Sequence, residues 1–65
     1  MERYRSDYKI EHFGDFTIYF SKSKYIVMAE ARYMDARTAI TYGNTKGQAL
    51  EKMKTSLREK YPKQI

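Results

Sequence analysis

The chain has 65 residues, no cysteine and a net charge of +5, with 32% charged and 15% aromatic residues. A domain of about 60 residues buries only roughly 60% of its unfolded surface, so one marginally stable domain is expected, and the lack of cysteine excludes disulfide staples and thiolate metal sites. The aromatic content excludes a disordered chain, no apolar run approaches the ~20 residues of a membrane span, and the charged start MERYRSDYKIEHF is no secretory signal, so a soluble cytoplasmic protein is expected.

Strand patterns come first along the chain. YKIEHF (8–13) alternates, with Tyr8, Ile10 and His12 facing one way and Lys9 and Glu11 the other. Gly14 and Asp15 mark a turn. FTIYFS (16–21) alternates again, Phe16, Ile18 and Phe20 forming one face and Thr17, Tyr19 and Ser21 the other. SKSK (21–24) is a polar break short enough for a tight hairpin.

YIVMAEARY (25–33) predicts a third strand whose uncharged odd positions, Tyr25, Val27, Ala29, Ala31 and Tyr33, face the core. Its two alanines would let a helix approach the sheet closely. MDA (34–36) turns the chain, and RTAITY (37–42), rich in β-branched and aromatic residues, predicts a fourth strand. Thr45 followed by Gln48 forms a capping box. Ala49, Leu50, Met53, Leu57 and Tyr61 then recur on one helical face until Pro62 ends the helix. The expected fold is α+β: a three- to four-stranded antiparallel sheet with one C-terminal helix packed on one face, in the order β-β-β-β-α. The expected core is Phe16, Ile18, Phe20, Val27, Ala29, Ala31, Leu50, Met53 and Leu57.

The segment GNTKG (43–47) is first of all a helix start. Its spacing does not fit the phosphate-cradling loop G-x-x-x-x-G-K-[ST]. The unpaired N–H groups of any helix start do suit an anion, and Lys46 stands beside them. Catalysis is not expected, nor a metal site or a cofactor. His12 is the one histidine, the serines lie in no nucleophile motif, and the acid pairs Asp7 with Glu11 and Asp15 with Asp35 fall at strand ends and turns.

The charge is unevenly spread. Residues 1–35 carry six basic and six acidic groups, whereas residues 36–65 carry seven basic groups against Glu51 and Glu59. Such asymmetry points to an anionic partner, either nucleic acid of undetermined type or an acidic protein. Arg37, Lys46, Lys52, Lys54, Arg58 and Lys60 are the candidate phosphate contacts. A single helix covers one sheet face, so the other, expected to show Lys9, Glu11, Thr17, Tyr19, Ser21, Ile26, Met28, Glu30 and Arg32, stays open. Tyr19, Ile26, Met28 and Arg32 are the candidates there for stacking unpaired bases or for burying the face in a homodimer.

The stretch AITYGNTKGQALEKMKTSL (39–57) resembles the last strand and helix of HicB-like antitoxin domains, through Gly43, Thr45, Gln48, Ala49 and Leu50. That resemblance implies a non-catalytic, self-associating module that neutralises a protein partner. The strand-strand-strand-helix order is also similar to double-stranded-RNA-binding domains and to the arm-type DNA-binding domains of phage integrases. Those likenesses imply phosphate contacts from the helix start, at Lys46, or base contacts from strands, through Arg32 and Arg37.

Overall fold

The computed structural model describes residues 9–65. Four strands, β1 (Glu11–Phe13), β2 (Phe16–Lys22), β3 (Val27–Tyr33) and β4 (Ala36–Gly43), precede helix α1 (Lys46–Lys60) and a 3₁₀ turn over Pro62–Gln64. The strands pair antiparallel in chain order, β1-β2-β3-β4, and α1 packs on one face, chiefly over β4 and β3. The expected β-β-β-β-α order is therefore the observed one.

Alternation dictates which side chains meet the helix. Phe16, Ile18 and Phe20 of β2 and Val27, Ala29 and Ala31 of β3 are buried against Ala49, Met53 and Leu57 of α1. Eight of the nine expected core residues lie in that cluster. Leu50 packs at its border, and Ala49 takes the central place. The alanines let the two layers approach: Ala29, Ala31 and Ala49 are all fully buried.

The helix start is held as its residue types require. The Gln48 backbone N–H donates to the Thr45 hydroxyl (3.1 Å), and the Gln48 side-chain oxygen reaches back to the Asn44 N–H (2.8 Å), so two otherwise orphaned donors are satisfied. The Thr41 hydroxyl of β4 donates to the Ala49 carbonyl at 2.8 Å, pinning the first turn to the sheet. Gly43 lies beneath that turn. A Cβ there would stand 2.6 Å from the Ala49 nitrogen, whereas one at Gly47 would meet nothing nearer than the Thr45 Oγ1 at 3.8 Å. At the far end Tyr61 caps α1, its N–H donating to the Leu57 carbonyl at 2.8 Å, and Pro62 opens the 3₁₀ turn.

Three readings of the sequence need correction. Tyr25 is not in the core: it is 76% exposed. It sits in the β2–β3 connection, where the Ser23 N–H donates to the Ile26 carbonyl at 2.9 Å and closes the loop before the strand begins. Ile26 belongs to the same loop and is 45% exposed, so it is not at the centre of the open sheet face. The third correction concerns β1. Glu11 pairs with Ile18, His12 with Thr17 and Phe13 with Phe16, so Glu11 and Phe13 stand on the helix side. The exposed His12 stands on the open side. A two-residue connection, Gly14 and Asp15, places Phe13 directly across from Phe16, and that register fixes the faces. The strand is also shorter than expected: Lys9 and Ile10 precede it, while Tyr8 and Asp7 lie outside the described residues.

Candidate functional site

Because α1 sits over β4 and β3, one flank of the helix is left facing β1 and β2. Lys46, Leu50, Lys54 and Arg58 follow at every fourth position along that flank. Lys46 Nζ donates to the Glu11 carboxylate at 2.9 Å, bridging the first helical turn to the far edge strand, and stands 5.0 Å from the centre of the Phe20 ring. Lys54 Nζ lies 5.7 Å and the Arg58 guanidinium 5.4 Å from the centre of the Phe13 ring. Both cations are therefore held over an aromatic face.

Glu11 reports the electrostatics of this surface. The hydrogen bond and charge of Lys46 hold its carboxyl below the usual carboxylate range, against a weaker desolvation, and Lys54 and Lys9 push it the same way. So Lys9, Lys46 and Lys54 surround one carboxylate, and Arg58 continues the row. Among the described residues, four cations against one acid leave the flank positive. Glu11 is 39% exposed, so solvent screens these interactions and each contributes little to stability.

The six cations expected from the sequence do not form one patch. Lys46, Lys54 and Arg58 gather on the β1–α1 flank. Lys52 lies on the outer face of α1, where Glu51 and Glu59 line the same shallow groove, and Lys60 is exposed in the last turn. Arg37 is at the opposite edge of the sheet, on β4, where its Nε donates to the Glu30 carboxylate at 3.2 Å. Lys9, Glu11 and Phe13 complete the flank; the strand alternation assigns Lys9 and Glu11 to the open face instead and gives Phe13 no place in a site.

On the open face, Tyr19, Met28 and Arg32 do come together with Glu30, Ile40 and Tyr42 through the β2–β3–β4 register. Glu30 is 4% exposed although, among the described residues, no second layer covers this face. It is enclosed by Arg37 and by Arg32, whose Nε is 4.0 Å from the carboxylate. Arg32 also donates to the Asp35 carbonyl at 3.1 Å, bracing the tight β3–β4 turn in which Met34 and Asp35 both hold positive φ.

Among the described residues no three His, Cys, Asp or Glu side chains gather closely enough to hold a metal ion, and no helix is long and apolar enough to cross a membrane. Compared with protein-family models, with curated proteins and with solved structures, the chain matches none of them.

Proposed function

We propose that the protein is a non-enzymatic cytoplasmic module that binds the phosphate backbone of nucleic acid along the β1–α1 flank. The observation that carries this reading is the gathering of Lys46, Lys54 and Arg58 along one flank of α1, with Lys46 on the Glu11 carboxylate and Lys54 and Arg58 over the Phe13 ring. Phosphates attract such a surface from a distance and bind it without reading sequence. The Phe13 ring holds both Lys54 and Arg58 in place, so less side-chain freedom is lost on binding.

Three to four phosphate contacts should give a log–log salt slope of roughly −3 to −4 on duplex DNA. Lys54→Glu with Arg58→Glu should bring that slope about two closer to zero. Lys52→Glu with Lys60→Glu changes net charge equally but lies off the flank, and should alter the slope less. Fluorescence titration at several salt concentrations measures both. Absence of binding at low salt to duplex and single strands alike would reject the reading, and an acidic protein partner would then be the target of the same cations.

A second reading draws on the open face. Tyr42 is 53% exposed beside Met28 and Ile40, an apolar strip suited to a homodimer or to a protein partner of the kind the HicB-like resemblance implies. Sedimentation at micromolar concentration should then give about twice the 7.8 kDa chain mass, reduced to the monomer by Met28→Lys with the fold retained. A monomeric parent would remove this reading.

A further inference from the structure

A cleft of about 400 Å³ opens at the end of the sheet where β3 and β4 meet the end of α1. That volume falls within the ~300–1,000 Å³ of small-ligand sites. Its inner wall is aromatic. The buried Phe16 carries both tyrosines, the Tyr33 and Tyr61 ring centres each lying 5.6 Å from its own. Arg37, Thr38 and Gln64 form the polar remainder of the lining. A register shift at Ala31 and Arg32 disturbs the β3–β4 ladder here, as bulges beside binding sites do.

We propose that this cleft is a subsite for one unpaired nucleobase, belonging to the strand whose phosphates lie on the β1–α1 flank. For its backbone contacts the proposal rests on the phosphate-binding reading above. Flat rings of Tyr33 and Tyr61 offer stacking surface to any base. Arg37 borders the cleft, but its Nε donates to Glu30 on the open sheet face, so it offers its charge to a neighbouring phosphate and not a stacking plane to the base. The Thr38 hydroxyl donates to the Ala36 carbonyl (3.2 Å), so its oxygen is left as an acceptor, and the Gln64 amide supplies both a donor and an acceptor.

Continuity with the flank supports the choice of occupant. Arg58 lies over the Phe13 ring, Phe13 stands across from Phe16, and the Tyr61 ring packs on Phe16, so one row of rings joins the flank to the cleft. A strand held at Lys54 and Arg58 is therefore delivered to the Tyr61 ring. Stacked duplex bases cannot enter the cleft, so the subsite selects single strands.

The test compares a labelled oligothymidylate with a duplex of equal length by fluorescence anisotropy at low salt. The parent should prefer the single strand by about tenfold, within the range of one base–ring stack. Tyr33→Leu should abolish the preference without weakening duplex binding. Ala36→Trp, which fills the cleft from an exposed position, should do the same. Lys54→Gln with Arg58→Gln should weaken both ligands together. Equal affinity for the two ligands, unaffected by Tyr33→Leu and Ala36→Trp, would overturn the subsite and leave the phosphate reading standing. If neither nucleic acid binds, an uncharged nucleoside decides: millimolar adenosine should shift the Tyr33 and Tyr61 ring resonances, and unmoved resonances would overturn the subsite independently of the flank.

Discussion

Replacing Leu57 with alanine should leave the domain barely folded at room temperature. Leu57 is fully buried and touches solvent nowhere. Truncating a buried leucine costs about 2–5 kcal/mol, because the lost transfer energy is joined by the cavity left behind. A chain of this size has of order 3–10 kcal/mol in total, so the single change removes a large share. At roughly 4–8 °C for each kcal/mol in a domain this small, the midpoint should fall by about 10 °C or more. A circular-dichroism melt measures it directly. A Leu57→Ala curve lying over that of the parent would mean that the helix does not pack on the sheet through this residue.

The two glycines that flank the helix start should respond to alanine with opposite signs. At Gly43 the added methyl would meet the Ala49 nitrogen at 2.6 Å, the Gln48 Cβ at 2.7 Å and the Gln48 carbonyl carbon at 3.0 Å. None of these is the free end of a side chain. The first turn of α1 must lift, and with it the 2.8 Å bond from Thr41 to Ala49. Overpacking of this kind costs about 1–3 kcal/mol, and more when backbone is the obstacle. Gly47 is the second residue of α1, where a Cβ would make only an ordinary contact with the Thr45 Oγ1 at 3.8 Å. Alanine there should stabilise by about 0.5–1 kcal/mol, through helix propensity and a less flexible unfolded chain. Urea denaturation of both variants checks the signs. A loss of similar size in both would show that the helix start is seated differently.

The fold was legible wherever one periodicity ran long enough. Seven residues of β2 and fifteen of α1 fix their buried faces without help, and Thr45, Gln48 and Pro62 mark the helix ends by their own chemistry. The three-residue β1 is too short for alternation to choose a side. Its side follows from the Phe13–Phe16 pairing across a two-residue turn and from an ion pair between Glu11 and Lys46, 35 positions apart. The ring of Tyr25 extends the apolar strand pattern, whereas the Ser23–Ile26 hydrogen bond closes the loop around it and leaves it exposed. The excess of positive charge was plain from composition, but its division was not. Whether Lys52 joins Lys54 depends on the face each takes, and Arg37 is drawn away by Glu30, an acid enclosed on a face that sequence alone marks as open.

The strand order has a kinetic consequence. Every ladder in the sheet joins neighbours in the chain, through connections of two residues at Gly14–Asp15, four at Ser23–Ile26 and two at Met34–Asp35. The entropy lost in closing such short loops is small, and single hairpins of this kind form in about 1–10 μs. The long-range contacts that remain to be found are those of α1 with the sheet and the bond from the Asp15 N–H to the Gln64 carbonyl. Refolding should therefore be fast for a protein with this much sheet. A mutation that weakens helix docking should act mainly by hastening unfolding, because it alters contacts made after the hairpins have closed.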